Sequence, residues 1–104
     1  MAQILNVEQG VVYSFKAKFS VAGPGDQYRF RVALAYDQVP LIELDETDGI
    51  VIDVDDFAEI VMTSEHTALL KAPEYKYQLD LISGAEVIQR QSGIIKTDGT
   101  FNDA

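Results

Sequence analysis

The chain has 104 residues and a mass of 11.5 kDa, which leaves room for a single domain, 1–104, and rules out a two-domain enzyme. Its 47% apolar content can fill one core, and the absence of Cys removes disulfides, a thiol nucleophile and a thiolate metal site. Eight Lys and Arg against seventeen Asp and Glu give a net charge of −9, which repels a phosphate backbone and argues against nucleic acid as a partner.

The opening residues, Met1 to Glu8, lack the basic cluster and long apolar run of a signal peptide. No stretch approaches the ~20 apolar residues of a membrane span, so the expectation is a soluble chain with no membrane partner. From Val11 to Phe19 the residues Val11, Tyr13, Phe15, Ala17 and Phe19 alternate with Val12, Ser14, Lys16 and Lys18, the period of a half-buried strand. A second strand over Gln27–Tyr36 places Tyr28, Phe30, Val32, Leu34 and Tyr36 on one face and Arg29 and Arg31 on the other. Ala22-Gly23-Pro24-Gly25-Asp26 between them reads as a loop, and the two strands are expected to pair as a hairpin.

Short strands follow at Leu41–Leu44, Ile50–Val54 and Phe57–Met62, separated by turn residues Glu46-Thr47-Asp48-Gly49 and Asp55-Asp56. Thr63 through Lys71 breaks the alternation. A capping Thr or Ser, an early acid and then Ala-Leu-Leu predict one or two helical turns that stop before Pro73. Beyond it Tyr75, Tyr77, Leu79 and Leu81 face inward, while Glu74, Lys76, Gln78 and Asp80 face water. Ser83-Gly84 turns the chain into a last strand, with a bulge expected at Ser92-Gly93. Residues 98–104 read as a flexible C-terminal tail. The pattern predicts an all-β fold: an antiparallel Ig-like β-sandwich of about 7–9 short strands with one short helical turn near residues 63–71.

Chemistry is sparse. The only histidine, His66, lies beside Ser64 and Thr67 on the predicted turn, but neighbours in a helix do not face each other and there is no Gly-x-Ser-x-Gly elbow. No nucleophile and base pair can be assembled, so no catalytic residue and no cofactor is assigned and the chain is expected not to be an enzyme. Glu43, Asp45, Glu46, Asp48, Asp53, Asp55, Asp56 and Glu59 fall in a stretch without Lys or Arg. Asp45, Glu46, Asp48, Asp53, Asp55 and Asp56 are therefore the candidate partner-docking or ion-binding edge. An EF-hand alignment on Gly49 fails, because Leu44 stands where the first carboxylate belongs; a surface Ca²⁺ on the turn acids is the remaining ion option. The aromatic side chains could line a ligand cavity, yet their period-two placement is what a packed core requires.

The segments Asp48–Asp53, Ala58–Thr63, His66–Leu70, Tyr75–Leu81 and Val87–Ile95, together with Glu8-Gln9-Gly10 ahead of the Val11 strand, resemble small structural proteins of tailed bacteriophages. These are β-sandwich domains of tail, baseplate or neck assemblies, similar in pattern to the N-terminal domain of baseplate upper proteins. In them a short helical turn begun by Thr precedes a Tyr-x-x-x-Leu strand, and a final hairpin carries Ser-Gly before a β-branched strand. Here Pro24-Gly25-Asp26-Gln27-Tyr28 replaces the usual polar Asp-Leu-Thr-Gly. The resemblance implies a non-enzymatic virion building block, made in the host cytoplasm and present in many copies beside other virion proteins in a symmetric assembly. The acidic loops and the two terminal arms are the expected docking surfaces, and a basic partner suits the former. The alternative is a small ligand-binding or Ca-dependent glycan-recognition β-sandwich module.

Overall fold

A computed structural model describes residues 3–20, 22–23 and 25–98. The elements in chain order are β1 (Gln3–Glu8), β2 (Tyr13–Ala17), β3 (Gln27–Ala33), β4 (Ile42–Asp45), β5 (Ile50–Ile52), β6 (Ala58–Met62), α1 (Ser64–Ala68), β7 (Glu74–Ser83) and β8 (Glu86–Asp98). One sheet has the order β1-β8-β7-β3-β4 and the other β2-β6-β5. This is the arrangement of an immunoglobulin-like sandwich, so the expected fold class holds. Its strands are antiparallel except for β1, which pairs parallel with β8 from Gln3↔Gly93 to Glu8↔Asp98.

Alternation decides which side chains meet between the sheets. Tyr28, Phe30 and Val32 of β3, Tyr75, Tyr77, Leu79 and Leu81 of β7, and Ala58, Ile60 and Met62 of β6 are all buried, as a period of two demands. The expected hairpin between the Val11 and Gln27 strands does not form. β2 pairs with β6 and β3 with β4 and β7, so the two strands lie in opposite sheets with their apolar faces toward each other. The connection over residues 18–26 is long enough to cross the sandwich. It is held where the Phe19 N–H donates to the Tyr28 hydroxyl at 3.1 Å and the two rings lie 5.7 Å apart.

Other expectations shift at element ends. β3 stops at Ala33 because residues 34–41 fold back, with the Gln38 N–H on the Ala35 carbonyl and the Tyr36 hydroxyl donating to the Gly93 carbonyl at 3.3 Å; Leu34 and Tyr36 are half exposed rather than core. β5 ends at Ile52, leaving Val54 97% exposed. Phe57 also leaves the core, lying 5.5 Å beneath the Lys18 ammonium. No bulge occurs at Ser92-Gly93, which pair regularly with Gln78 and Tyr77. The register slips instead between Leu81 and Ile82, where Ile88 is the extra residue beside the hairpin. The N-terminal arm is β1, bound into the sheet. Asp98 closes β8, and the rest of the expected tail, 99–104, lies outside the described residues.

The predicted helical turn forms at Ser64–Ala68. Thr63 caps it by accepting from the His66 N–H, and the His66 ring returns the contact by accepting from the Thr63 N–H at 3.1 Å. The lone histidine thus fills the capping-box position that Glu or Gln usually holds. Gly49, at φ +102°, turns the chain from β4 into β5, and a Cβ there would meet Leu44 Cδ2 at 2.7 Å.

Antibody domains join their sheets through a disulfide packed on a buried Trp. This chain joins them with rings. Phe15 of β2 lies 5.5 Å from Phe30 of β3, edge to face, and 6.4 Å from Tyr77 of β7, while Phe30 and Tyr77 are 5.6 Å apart. Two residues before Tyr77, the buried Tyr75 hydroxyl accepts from the Ala72 N–H at 2.8 Å, the tyrosine-corner contact of such sandwiches. Phe30→Ala is expected to lower stability by about 3–5 kcal/mol in urea unfolding. Tyr75→Phe, which strips one acceptor from a backbone N–H, should cost only about 1 kcal/mol.

Candidate docking edge

The six predicted site residues lie in two turns. Asp45 and Asp48 close the β4–β5 turn through reciprocal backbone hydrogen bonds of 3.0 Å, and the Asp45 carboxylate accepts from the Thr47 hydroxyl and from the Thr47 N–H at 2.9 Å. Those Thr47 bonds hold the Asp45 carboxyl below its usual pKa. Glu46 reaches across to accept from the Tyr28 N–H at 2.8 Å. In the β5–β6 turn, Asp53 accepts from the Asp55 and Phe57 N–H groups at 2.8 and 3.0 Å and pairs with Lys16 at 3.1 Å. The Phe57 N–H is the largest cause of the lowered Asp53 pKa, with the Lys16 bond adding to it. Asp55 and Asp56 are exposed, Asp56 in the left-handed region at φ +66°, which an acid of a tight turn tolerates.

Space changes the charge pattern read along the chain. Residues 43–59 hold no base, but β2 brings Lys16 onto Asp53, and Lys18 donates to the Asp55 carbonyl at 3.1 Å. Among the described residues no three of His, Asp and Glu converge as a metal would need. The Asp45 and Asp53 carboxylates serve as acceptors that shape their own turns, and Glu46 ties the first turn to β3. The two turns flank a cleft of about 580 Å³ at one end of the sandwich, lined by Lys18, Asp26, Tyr28, Glu46, Ile52 and Asp56 among others. Glu46 and Asp56 thus meet at one opening, whereas Asp45, Asp48, Asp53 and Asp55 stand outside it.

The largest electrostatic feature lies elsewhere. Asp80, expected on the wet face of β7, has no exposed side-chain surface, because all three arginines of the chain close over it. Arg90 Nε donates to Oδ1 at 2.7 Å, while Arg29 Nη2 and Arg31 Nη2 donate to Oδ2 at 2.9 and 3.0 Å. Register explains the convergence. Arg90, Asp80, Arg29 and Asp45 are successive cross-strand partners on β8, β7, β3 and β4, a row of alternating charge on the outer face of the larger sheet. Arg31, two residues on, leans back to Asp80 and also donates to Gln78 at 3.1 Å. Burial alone would raise the Asp80 pKa, but hydrogen bonds from Arg90 and Arg29 and the charges of Arg90 and Arg31 outweigh it and hold the carboxyl below its ordinary value. The alternation of residues 27–36 puts Arg29 and Arg31 on one face, as found, and leaves their partner open, while nothing in the sequence singles out Arg90. The signal for Asp80 was an acid at an outward position of a strand, which becomes decisive only once β7 is known to lie between β3 and β8.

No family model matches the chain, and no curated protein matches it. Among solved structures it is similar to the NK cell receptor Nkp44, a triggering partner in natural cytotoxicity, with a TM-score of 0.62 and 14% identity over 94% of this chain and 99% of that one. It is also similar to part of a Bacteroides vulgatus chain described as a glycoside hydrolase, with a TM-score of 0.53 and 14% identity; 94% of this chain covers 17% of that one. At such identity the likeness is one of fold.

Because the Asp80 pKa lies below its unfolded value, the stabilisation is fully present above the ordinary carboxylate range, near pH 3.9. It is lost as pH falls through the lower folded value. Asp80→Asn should therefore lower stability near pH 7 by about 3 kcal/mol, leaving three guanidiniums without their shared carboxylate. In urea titrations repeated from pH 7 to pH 2, the variant should also lose less stability on acidification than the parent chain.

Proposed function

We propose that this chain is a non-enzymatic structural or adaptor protein of a tailed-bacteriophage virion, a tail, baseplate or neck component that works through protein–protein contacts. The observation that carries this reading is the use made of the acidic turns. Asp45 and Asp53 are held by backbone N–H groups of their own turns and Glu46 by that of Tyr28, so they present fixed negative charge rather than a cage for an ion. A fixed acidic surface at the end of a small sandwich suits docking to a basic patch on a neighbouring protein, where electrostatic match sets orientation and encounter rate. The sequence resemblance of residues 48–97 to tail and baseplate sandwiches supplies the context. Such a role needs shape, rigidity and copy number, and requires no tuned acid or base.

The cleft of about 580 Å³ favours a second reading, a small-ligand or glycan-recognition module, since its size is that of a small-molecule site. Mass spectrometry of purified particles from the encoding phage separates the two. The virion reading predicts this chain in stoichiometric copies, and its absence from the particle would remove that reading. The recognition module predicts a Ca²⁺-dependent rise in melting temperature, or glycan-array binding lost in the paired Asp55→Asn and Asp56→Asn variant. A flat titration and a blank array would remove it.

A further inference from the structure

Among the described residues the sandwich has four strand edges, and they are not equally protected. At one side β4 carries Glu43 and Asp45, and β5 is three residues long with Asp48 and Asp53 close to its ends. At the other side β2 carries Lys16, while β1 is six residues long and holds no Lys, Arg or Pro. Its one charge, Glu8, is at its last position, and Ile4 on its outer face is 50% exposed. Charges, proline and brevity are the usual guards against strand addition, and β1 has none of them along Ile4 to Val7.

We propose that the β1 edge is a pairing surface for a second copy of this chain, the two β1 strands running antiparallel across a two-fold axis and joining the larger sheets edge to edge. The occupant is argued from charge. Two chains of net charge −9 repel wherever their acidic turns face each other. β1 and β4 are opposite ends of the sheet order, four strand spacings apart, or about 19 Å at ~4.8 Å each. Pairing through β1 therefore sends both acidic edges to the far ends of the dimer, separated by about 40 Å and well beyond the ~8 Å Debye length of physiological salt. The strand is also self-complementary. With Asn6 opposite its own copy, Leu5 meets the second copy's Val7 on the inner face, and both are already core residues. A two-fold contact of this kind closes and does not propagate. The inference goes beyond the virion reading and stands or falls apart from it, since it concerns the isolated chain.

Sedimentation equilibrium of the full chain from micromolar to several hundred micromolar, at physiological salt, tests it. A reversible dimer is expected. The Ile4→Lys and Asn6→Lys pair, on outward positions, should weaken it at least ten-fold with little change in the melting temperature of dilute protein. Val51→Lys, on the outer face of β5, should leave it intact. Should the double variant fold poorly, amide exchange of the parent chain provides the reading, with residues 4–7 slowing as concentration rises. A monomer at every concentration, a dimer indifferent to both β1 substitutions, a dimer broken by Val51→Lys, or concentration-independent exchange in β1 would each overturn the proposal.

Discussion

Everything in this sandwich depends on how two sheets of unequal size are joined without a covalent link. The join is the contact of Phe15, Phe30 and Tyr77, one ring each from β2, β3 and β7, with two of the three rings fully buried. Tilted and edge-to-face rings at these distances gain about 0.5–1.5 kcal/mol per pair beyond the area they bury. They also fix the spacing between the sheets, because close-packed rings cannot slide without opening voids. Once β2 and β7 are held apart by that thickness, the tyrosine corner at Tyr75 anchors the approach to β7, and α1 with its Thr63 and His66 cap bridges β6 to it. A chain with no Cys acquires in this way a fold that antibody domains staple with a disulfide, and its stability is independent of the redox state around it.

The outer face of the larger sheet is organised by a different force. Asp80 faces away from the core yet is fully covered, because Arg29, Arg31 and Arg90 converge on it from both neighbouring strands. Three cations on one carboxylate tie β3, β7 and β8 together in register, and a slip of one residue in any of them would turn the network inward. The arrangement has a local cost. Nε of both Arg29 and Arg31 is buried with no hydrogen-bond partner among the described residues. The longest run of acids lies at the β4 and β5 side, where the acidic turns flank a cleft and two lysines from the β2 side temper them. The acidic turns are thus gathered at the β4 and β5 side, while β1 carries a single charge, Glu8, at its last position.

Much of this was legible in the residues. Period-two alternation in residues 13–17, 28–32 and 75–81 gives the strands and the buried face directly, and Thr63 followed by Pro73 bounds the helical turn. Pairing was not legible, because alternation reports which face of a strand is buried and says nothing of its neighbour. The hairpin assigned to β2 and β3 failed for that reason, since a glycine and proline connection serves a sheet-crossing loop as well as a tight one. β1 is weakly marked in the sequence because Gln3-Ile4-Leu5-Asn6-Val7-Glu8 alternates only weakly, its inner Leu5 and Val7 being set against an outer Ile4. The candidate edge was half legible. Its acids were visible as a run, whereas their engagement with backbone N–H groups, the approach of Lys16 and Lys18, and the greater coherence of the Asp80 network all arise from tertiary placement.

The central claim is that ring packing between β2 and β7 takes the place of a covalent staple, and a double-mutant cycle tests it most directly. Phe15→Leu, Tyr77→Leu and the double variant, each unfolded in urea, separate the contact between the rings from the area each ring buries. The account predicts a favourable coupling of about 0.5–1.5 kcal/mol between the two positions. Strict additivity, with the double variant losing the sum of the single losses, would contradict it.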